Sequence, residues 1–324
     1  MSFDRKISLV IVTYNSEKYI LKNLSSVYQY ASNIINQIIV SDSNSSDNTL
    51  KIVEENFPDI EIIKGENKGY GAALNAGFRK CKNDYIIGSN DDIYLIDNTI
   101  LEIFEKFSLN PNVGIIGPKL LYEDLSLQRS ITNNPNIIKD FFQIIFPSIV
   151  NTNNYFFRNF VKIFQNFFST GRFDDHKNSK IVNAVKGAFF VLKKEVFLES
   201  KGFDERIVHD IDEQIFCFRA KKKGWDTMYD PSINIVHIAG VHLGNPSSQS
   251  NKKRFSVRIQ SSLLFYKYYQ PYILYLIYYF SILIALMLRG LLLVLLRSND
   301  RKTIYFCLKL FFTNTITSAK IYGK

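Results

Sequence analysis

Acids and amides that directly follow short apolar runs are the residues best suited to chemistry in this sequence. Asp42 can accept a hydrogen bond from a base or a sugar, while the adjacent Asp91 and Asp92 offer hard oxygen ligands for a divalent cation that would neutralise a diphosphate. Because Asp and Asn also populate turns, any single cluster has a plain structural explanation. Three clusters at one edge of a sheet favour a function. The clusters are Thr13–Asn15, Asp42–Asp47 and Asn90–Asp92.

A glycine-rich loop at residues 65–71 is a further candidate, for binding phosphate. Its G-x-G is followed by AALNAG, which is not the spacing of a dinucleotide-binding fingerprint. Lys68 could still reach a phosphate. A turn that starts a helix explains the loop equally well, and both interpretations stay open.

These side chains meet only if the chain places its strands side by side. Apolar runs predict strands at residues 6–12, 37–40, 60–64, 85–88 and 113–117, with helices at residues 17–30, 48–56 and 72–82 between them. Strands that alternate with helices predict a parallel sheet covered by helices on both faces. Since ligands bind beyond the carboxyl ends of such strands, we expect all three polar clusters at one edge.

Composition narrows the class of protein. Hydrophobic residues make up 46% of the 324 residues and charged residues 22%, which predicts a sizeable core and excludes wholesale disorder. The three cysteines form no C-x-x-C pair, which argues against a zinc cluster or a secreted disulfide scaffold. The first residues lack the apolar run of a signal peptide. A net charge of +10 suits an anionic partner such as a nucleotide phosphate, a nucleic acid or an acidic membrane face.

The C-terminal part, residues 251–324, predicts a basic and apolar helical tail that associates with a membrane. Residues 272–288 are an apolar run that Arg289 interrupts, and a membrane helix needs about 20 apolar residues. Basic residues flank the run on both sides, so charge gives no orientation for a single crossing. The alternatives are a helix pair in the interface, a re-entrant hairpin, a single span in which Arg289 snorkels, or a buried core helix or dimer interface.

An aromatic-rich insertion at residues 137–170 interrupts the first 250 residues. It is either a second element that lies in the membrane interface or a lid that packs over the rest of the first 250 residues. The positive residues concentrate around apolar segments, which favours lipid phosphates over nucleic acid as the partner.

Eight segments, in order along the chain, resemble the family-2 glycosyltransferases, most closely the rhamnosyltransferase-like branch. The resemblance covers residues 6–270 apart from the insertion. It implies a GT-A fold, an α/β architecture with a Rossmann-like mixed sheet and flanking helices, at residues 1–250. The segments are SLVIVTYN, IIVSDSNSSDNT, ENKGYGAALNAGF, YIIGSNDDI, GPKLLYEDLSLQRS, VKGAFFVLKKEVFLESKGFDE, DEQIFCFRAKKKGW and DPSINIVHIAG.

The resemblance implies roles for individual residues. Asp42 matches the acid that reads a uracil or thymine ring, and Asp92 matches a metal ligand, although Asp91 could take that role. His237 matches a histidine that often completes the metal site, for Mg²⁺ or Mn²⁺. The remaining matches to donor-binding residues are Thr13, Tyr14, Asn15, Asn67, Lys68, Gly71, Asn75 and Asn90.

The catalytic base is expected at Asp212 or Glu213. Many relatives carry Glu-Asp seven and six residues before an arginine, and here Asp212 and Glu213 precede Arg219 at that spacing in the reverse order. Glu213 is the first choice because it holds the position that is usually Asp, and a carboxylate suits removal of a proton from a sugar hydroxyl. A solvated acidic patch on an ordinary helix is the structural alternative.

The sequence therefore predicts an inverting, metal-dependent hexosyl- or deoxyhexosyltransferase. It would move a sugar from a UDP- or dTDP-sugar to a glycan or lipid-linked glycan in cell-surface polysaccharide synthesis. Its expected place is the cytoplasmic face of the cell membrane, as a peripheral, re-entrant or single-span protein with no nucleic-acid partner. The alternative is a non-catalytic membrane-associated protein that binds sugar nucleotides or glycans and has kept the fold.

Overall fold

A computed structural model describes residues 6–146, 176–207, 210–238, 248–295 and 305, with side chains described outside 248–256 and 292–295. The chain divides into two units. The first comprises Met1–Asn134 and Asp175–Gly244, and the second comprises Pro135–Asp174 and Asn245–Lys324. The insertion thus belongs to the same unit as the tail. The boundary after residue 250 stays a prediction, as does a role for the part of the insertion that lies outside the described residues.

Twelve strands are described in the first unit, ten of them in one sheet. The sheet order is β3-β2-β1-β4-β11-β6-β12-β5, with β7 beside β6 and β9 beside β12, while β8 and β10 form a separate pair. The strands are β1 (Ile7–Thr13), β2 (Ile35–Asp42), β3 (Glu61–Lys64), β4 (Tyr85–Asn90), β5 (Ile93–Leu95), β6 (Val113–Leu121), β7 (Leu127–Gln128), β8 (Ile131–Thr132), β9 (Lys180–Val182), β10 (Ala184–Val185), β11 (Phe189–Lys193) and β12 (Asp226–His237).

Strand directions bring the polar strand ends to one edge. β1 is parallel to β2 and β4, and β12 is parallel to β6. Because β11 is antiparallel to both β4 and β6, β6 and β12 point the same way as β1. The strands that end at Thr13, Asp42, Asn90 and His237 therefore all end at the same edge of the sheet. Lys186 precedes β11, which runs antiparallel, so Lys186 lies at that edge as well.

Helices cover both faces of the sheet, as the alternation predicts. Leu9 and Ile11 of β1 lie in one apolar cluster with residues of the first helix, whereas Val10 lies in a second cluster with Phe78 and Phe216 of later helices. This period of two is that of a strand buried on both faces. The helices of this unit are α1 (Ile20–Ala31), α2 (Thr49–Asn56), α3 (Tyr70–Phe78), α4 (Ile103–Leu109), α6 (Lys194–Glu199) and α7 (Asp212–Lys222), with a 3₁₀ turn at Thr99–Glu102.

The five predicted strands and three predicted helices are all present, with shifted ends. α1 begins at Ile20 rather than at residue 17, where the Glu17 amide instead donates to Asp47 Oδ2 at 3.1 Å. α3 begins two residues early, after Gly69 with its φ of +105°, and ends at Phe78 rather than at residue 82. The sheet is mixed, as the resemblance implies, and not wholly parallel, because strands after residue 90 add antiparallel pairs.

The second unit is helical where it is described. It contains α5 (Ile137–Ile145), α8 (Ser248–Tyr269) and α9 (Tyr272–Leu295). The Tyr278 hydroxyl of α9 donates to Asp140 Oδ2 at 3.0 Å, and Arg289 Nη1 donates to the Ile144 carbonyl at 3.3 Å. Arg289 is buried, so its charge lies against α5. The Tyr266 ring of α8 stacks on Tyr278, with ring centroids 4.2 Å apart.

The opposite side of α9 carries an exposed apolar stripe. Within the described residues, Tyr272–Leu291 is the single helical stretch long and apolar enough to cross a membrane, a test that core helices of soluble proteins also pass. Only 28% of its window is buried, and its mean hydropathy is 1.9. Spacings of three and four residues place the exposed side chains on one face. They are Ile273, Ile277, Phe280, Ile284, Met287 and Leu291.

Candidate active site

The loops after β1 and β2 are joined by their side chains at the polar edge. Asn15, with a φ of +52° that asparagine tolerates, donates its amide to Ser45 Oγ at 2.9 Å and accepts from the Ser46 amide at 2.8 Å. Asp42 accepts from the Ser45 amide at 2.9 Å. Thr13 is buried beside them, and within the described chain its Oγ1 has no hydrogen-bond partner. The structure thus brings three of the predicted donor-binding residues together.

The two adjacent aspartates after β4 are both buried but face different groups. Asp91 Oδ2 accepts from the Tyr14 amide at 3.2 Å and from the Ser16 hydroxyl. Asp92 Oδ1 lies 3.4 Å from His237 Nε2. The carbonyl of Asn90, at the end of β4, accepts from Asn23 on α1 at 3.0 Å. Asp91 therefore anchors the loop after β1, whereas Asp92 faces the histidine predicted as its partner.

A chain of polar contacts continues from His237 to a lysine. His237 Nδ1 lies 2.6 Å from Gln128 Oε1, and Gln128 Nε2 donates to the His237 carbonyl at 3.2 Å. Lys186 Nζ donates to the same Gln128 Oε1 at 3.2 Å. Burial lowers the pKa of Lys186, and the nearby carboxylates of Glu213 and Asp92 oppose that shift. One positive side chain thus lies among the acids of the site.

Asp212 and Glu213 occupy the first turn of α7. Burial, and then the negative charge of Asp212, raises the pKa of the Glu213 carboxyl well above its usual range. A carboxylate with a raised pKa is a stronger base near neutral pH. Among the described residues no donor reaches Asp212 Oδ2. Arg219, further along α7, donates to the carbonyls of Ser200 and Gly202, so its role here is to brace a loop.

Tyr70 connects the two groups of acids. Its hydroxyl donates to the Gly187 carbonyl at 2.5 Å. Burial raises the pKa of Tyr70 well above its usual range, and the negative charges of Asp212, Glu213, Asp91 and Asp92, in that order, raise it further. All four carboxylates therefore raise the pKa of one phenol. Tyr70 and Glu213 both lie beside Gly187, where an added Cβ would be 3.3 Å from Tyr70 Cε1 and 3.7 Å from Glu213 Cδ.

The three residues predicted to form the donor loop before α3 differ in their surroundings. Lys68 is exposed, and its Nζ lies 3.3 Å from Glu66 Oε2. Asn67 is half-buried. A Cβ at Gly71 would come within 2.9 Å of Phe203 Cβ, so close packing requires glycine there.

Asn75, predicted to bind donor, is engaged elsewhere in the structure. Its Nδ2 donates to the Phe203 carbonyl at 3.0 Å and to Glu205 Oε1 at 2.9 Å, and its Oδ1 accepts from the Phe203 amide at 2.8 Å. Both ends of the amide therefore fasten α3 to the loop before α7. These contacts give Asn75 a structural role, and its contact with a donor stays a prediction.

Sequence reasoning missed three residues of the site: Tyr70, Gln128 and Lys186. Each lies within a segment that carries the family resemblance, but its residue type alone indicates no chemistry. The signal that could have found Lys186 is a lone charged residue between apolar strand residues, in AVKGAFF. His209, which precedes Asp210 in the sequence and could touch an acceptor, lies outside the described residues.

The predicted metal ligands suit an ion shared with a substrate. Among the described residues no three His, Cys, Asp or Glu side chains lie close enough to form a metal site by themselves. Asp92 and His237 supply one carboxylate oxygen and one imidazole nitrogen 3.4 Å apart. Divalent cations that serve nucleotide phosphates commonly take one or two protein ligands and complete their shell with phosphate oxygens and water. The donor set therefore fits Mg²⁺ or Mn²⁺ held jointly with a diphosphate.

Comparison with protein families gives a match over more than half of the chain. The family described as "Glycosyl transferase family 2" matches residues 8–176. N-acetylglucosaminyl-diphospho-decaprenol L-rhamnosyltransferase of Mycobacterium tuberculosis is 21% identical over 241 residues, which are 71% of this chain and 75% of that protein. Chondroitin synthase of Escherichia coli is 28% identical over 137 residues, which are 41% of this chain and 18% of that protein.

Solved structures share the fold. A mannosyltransferase from Pyrobaculum calidifontis, in complex with GDP-Man and Mn²⁺, aligns with a TM-score of 0.54 at 15% identity over 99% of this chain and 79% of its own. GalNAc-T7, solved with UDP, GalNAc and Mn²⁺, aligns with a TM-score of 0.54 at 15% identity over 81% of this chain and 50% of its own. At these identities the likeness establishes a GT-A-like fold.

Proposed function

The chain belongs to glycosyl transferase family 2, in its rhamnosyltransferase-like branch, and we propose that it is an inverting, metal-dependent sugar transferase. Its donor is a UDP- or dTDP-linked hexose or deoxyhexose. Its acceptor is a hydroxyl of a glycan or a lipid-linked glycan in cell-surface polysaccharide synthesis. The Mycobacterium tuberculosis relative is a rhamnosyltransferase by name and the Escherichia coli relative a chondroitin synthase, which supports this class of reaction.

One observation carries the proposal. Lys186 is linked through Gln128 to His237, which faces Asp92. A Cβ at the next residue, Gly187, would lie 3.7 Å from Glu213 Cδ, which supports one site for the two acids at the carboxyl ends of the strands. A cation site for a leaving diphosphate and a base for an attacking hydroxyl are the two functions that such a transfer needs.

The donor would bind along the loops after β1 and β2. Asp42 would accept from the imide N–H of a uracil or thymine, and its hydrogen bonds with Ser45 hold the carboxylate in a fixed direction. Thr13 Oγ1, buried without a hydrogen-bond partner among the described residues, offers the nucleotide a contact that the protein itself leaves unused. Asp91 acts indirectly, by fixing the position of the Tyr14 and Ser16 backbone.

The acceptor hydroxyl would be deprotonated by Glu213 as it attacks the anomeric carbon. The new glycosidic bond forms on the face opposite the breaking C–O bond, so the anomeric configuration inverts and the nucleoside diphosphate leaves. Glu213 takes the hydroxyl proton, and its raised pKa favours that transfer. Asp92 and His237 would hold Mg²⁺ or Mn²⁺, which when bound supplies positive charge for the diphosphate.

The helical unit would keep the enzyme at the cytoplasmic face of the membrane. The exposed stripe of α9 is apolar, and basic residues precede and follow this helix in the sequence. Basic residues beside an apolar segment favour an anionic lipid surface. A lipid-linked acceptor would be met at that surface.

A donor panel tests the proposal. Detergent-solubilised protein would be incubated with UDP-, dTDP- and GDP-sugars, with and without Mn²⁺, while nucleotide release is measured and the anomeric configuration of any product is read by NMR. We expect Mn²⁺-dependent release of UDP or dTDP from one sugar and an inverted product. If no sugar nucleotide binds, the enzymatic proposal is wrong. The non-catalytic alternative, which the reversed order of Asp212 and Glu213 permits, would then be tested with a glycan screen.

A further inference from the structure

Gln128 and Lys186 form a support behind the metal-binding histidine of the proposed site. Gln128 is buried. The oxygen of its side-chain amide accepts a hydrogen bond, and the nitrogen donates one. Oε1 faces the Lys186 ammonium at 3.2 Å, and Nε2 faces the His237 carbonyl at 3.2 Å. An ammonium can only donate and a carbonyl can only accept. Two independent partners therefore fix the orientation of this amide.

The orientation of Gln128 in turn determines the tautomer of His237. Because the atom 2.6 Å from His237 Nδ1 is the acceptor Oε1, Nδ1 must carry a proton. In the neutral ring the lone pair is then on Nε2, which faces Asp92 Oδ1 at 3.4 Å. An imidazole lone pair beside a carboxylate oxygen is an arrangement that a divalent cation would bridge.

We propose that Lys186 and Gln128 are positioning residues that hold His237 as the Nδ1–H tautomer and so direct Nε2 toward Asp92 as a metal ligand. The proposal rests on the metal site of the proposed function. It predicts that Lys186 strengthens cation binding, although its positive charge alone would weaken it. As a positive charge near the site, Lys186 would weaken cation binding. As the donor that orients Gln128, it strengthens that binding.

The sign of this effect can be measured on the full-length chain. Mn²⁺ affinity would be determined by EPR of free Mn²⁺, with and without UDP, for wild type, Lys186→Met and Gln128→Met. We expect both variants to bind Mn²⁺ about 10-fold or more weakly, which is the usual effect of losing a partner behind a metal ligand. Gln128→Glu keeps an acceptor for Nδ1–H, so this variant should bind Mn²⁺ more tightly than Gln128→Met does. Lys194→Met is the matched control, since Lys194 donates to the Cys81 carbonyl at 2.7 Å in another part of the unit.

The tautomer gives a second readout that needs neither metal nor turnover. In ¹⁵N-histidine-labelled protein, assigned with a His237→Gln variant, we expect Nδ1–H in the wild type and a mixture or the Nε2–H form in Lys186→Met. Nε2–H as the wild-type tautomer would overturn the proposal, as would unchanged or tighter Mn²⁺ binding by Lys186→Met. A wild type that binds no Mn²⁺ would refute the metal site of the proposed function, and the tautomer spectra would still decide the inference.

Discussion

At the scale of single residues, Asp91 and Asp92 are neighbours in sequence with different surroundings. Asp91 accepts two hydrogen bonds from the loop after β1, and Asp92 faces His237. We expect Asp91→Ala to lower the free energy of unfolding by about 2 kcal/mol, because buried hydrogen bonds to a charged group are lost. We expect Asp92→Ala to lower transfer by about 100-fold or more, since a cation that stabilises a leaving group contributes several kcal/mol.

Each of the two variants, Asp91→Ala and Asp92→Ala, serves as the control for the other. Thermal unfolding and donor turnover would be measured on both, with turnover normalised to folded protein. The assignment requires Asp92→Ala to fold normally with little turnover and Asp91→Ala to be the less stable of the two. Near-normal turnover in folded Asp92→Ala would remove Asp92 from the metal site.

The pH dependence of turnover distinguishes the two candidate bases. A base must be ionised, so the rate falls as pH decreases through its pKa. Because burial and the Asp212 charge raise the pKa of Glu213, we expect this fall at a higher pH than an ordinary carboxylate would give. Asp212→Asn removes one cause of the shift, so the acid limb of kcat/KM should move to lower pH. Glu213→Gln should reduce turnover by about 10²- to 10⁴-fold at every pH.

The opposite pattern would reassign the base. If Asp212→Asn eliminates turnover at every pH and Glu213→Gln only shifts the acid limb, Asp212 takes the proton. Glu55→Gln, an exposed acid on α2, is the matched control and should leave the profile unchanged.

The positions of the acids could be predicted from sequence, and the contacts around them could not. Asp42 and Asp92 follow apolar runs, which indicated the end of the sheet where they lie, and Glu213 was a candidate through the family resemblance. Gln128 and Lys186 matter only because β6, β7 and β12 bring them next to His237, which no local pattern reveals. Asn75 shows what a resemblance alone does not reveal, because both ends of its side-chain amide bind the loop before α7.

At the scale of secondary-structure elements, close packing of α3 on β1 positions the loop before the site. A Cβ at Gly77 would overlap the Cγ1 methyl of Val10. Gly→Ala inside a helix otherwise stabilises by up to about 1 kcal/mol. Overpacking costs about 1–3 kcal/mol, so we expect Gly77→Ala to lower the Tm.

A double-mutant cycle isolates that contact. Val10→Ala removes both methyl groups that the new Cβ would meet, so Gly77→Ala in this background should be neutral or slightly stabilising. The coupling between the two sites, read from Tm values of the four proteins, should be favourable and of about 2 kcal/mol. If Gly77→Ala lowers the Tm equally in both backgrounds, Val10 is not the cause.

Element boundaries also show what local sequence cannot specify. The strands were predictable because apolar β-branched runs ended in polar residues. The start of α1 was not, because the amide of Glu17, which looks helical, is held by Asp47 of another loop. The antiparallel strands β5, β7, β9 and β11 come from a part of the chain whose alternation is irregular, and pairing between distant segments, not propensity, defines them.

At the scale of the whole molecule, the chain joins a unit that carries the chemistry to a helical unit with an unusual surface. In the helical unit, the polar groups Asp140, Tyr278 and Arg289 bond on one side of α9, within the unit. The other side is apolar and exposed. This division explains how an apolar helix can contain an arginine without placing its charge on the exposed stripe. We therefore propose that the stripe contacts lipid.

Charge substitutions in the stripe test that assignment. Replacing an apolar residue by Asp at membrane depth costs about 3 kcal/mol, a factor of about 100 in partitioning. We expect the Ile277→Asp/Ile284→Asp variant to stop floating with vesicles that contain anionic lipid, while donor hydrolysis by the detergent-solubilised protein is unchanged. Leu109→Asp/Leu198→Asp is the matched control, since these exposed side chains lie in the other unit, and it should float like wild type. Flotation of the stripe variant at the wild-type level would show that α9 does not contact lipid through this face. A change in oligomeric state instead, read by size exclusion, would assign the stripe to a second copy of the chain.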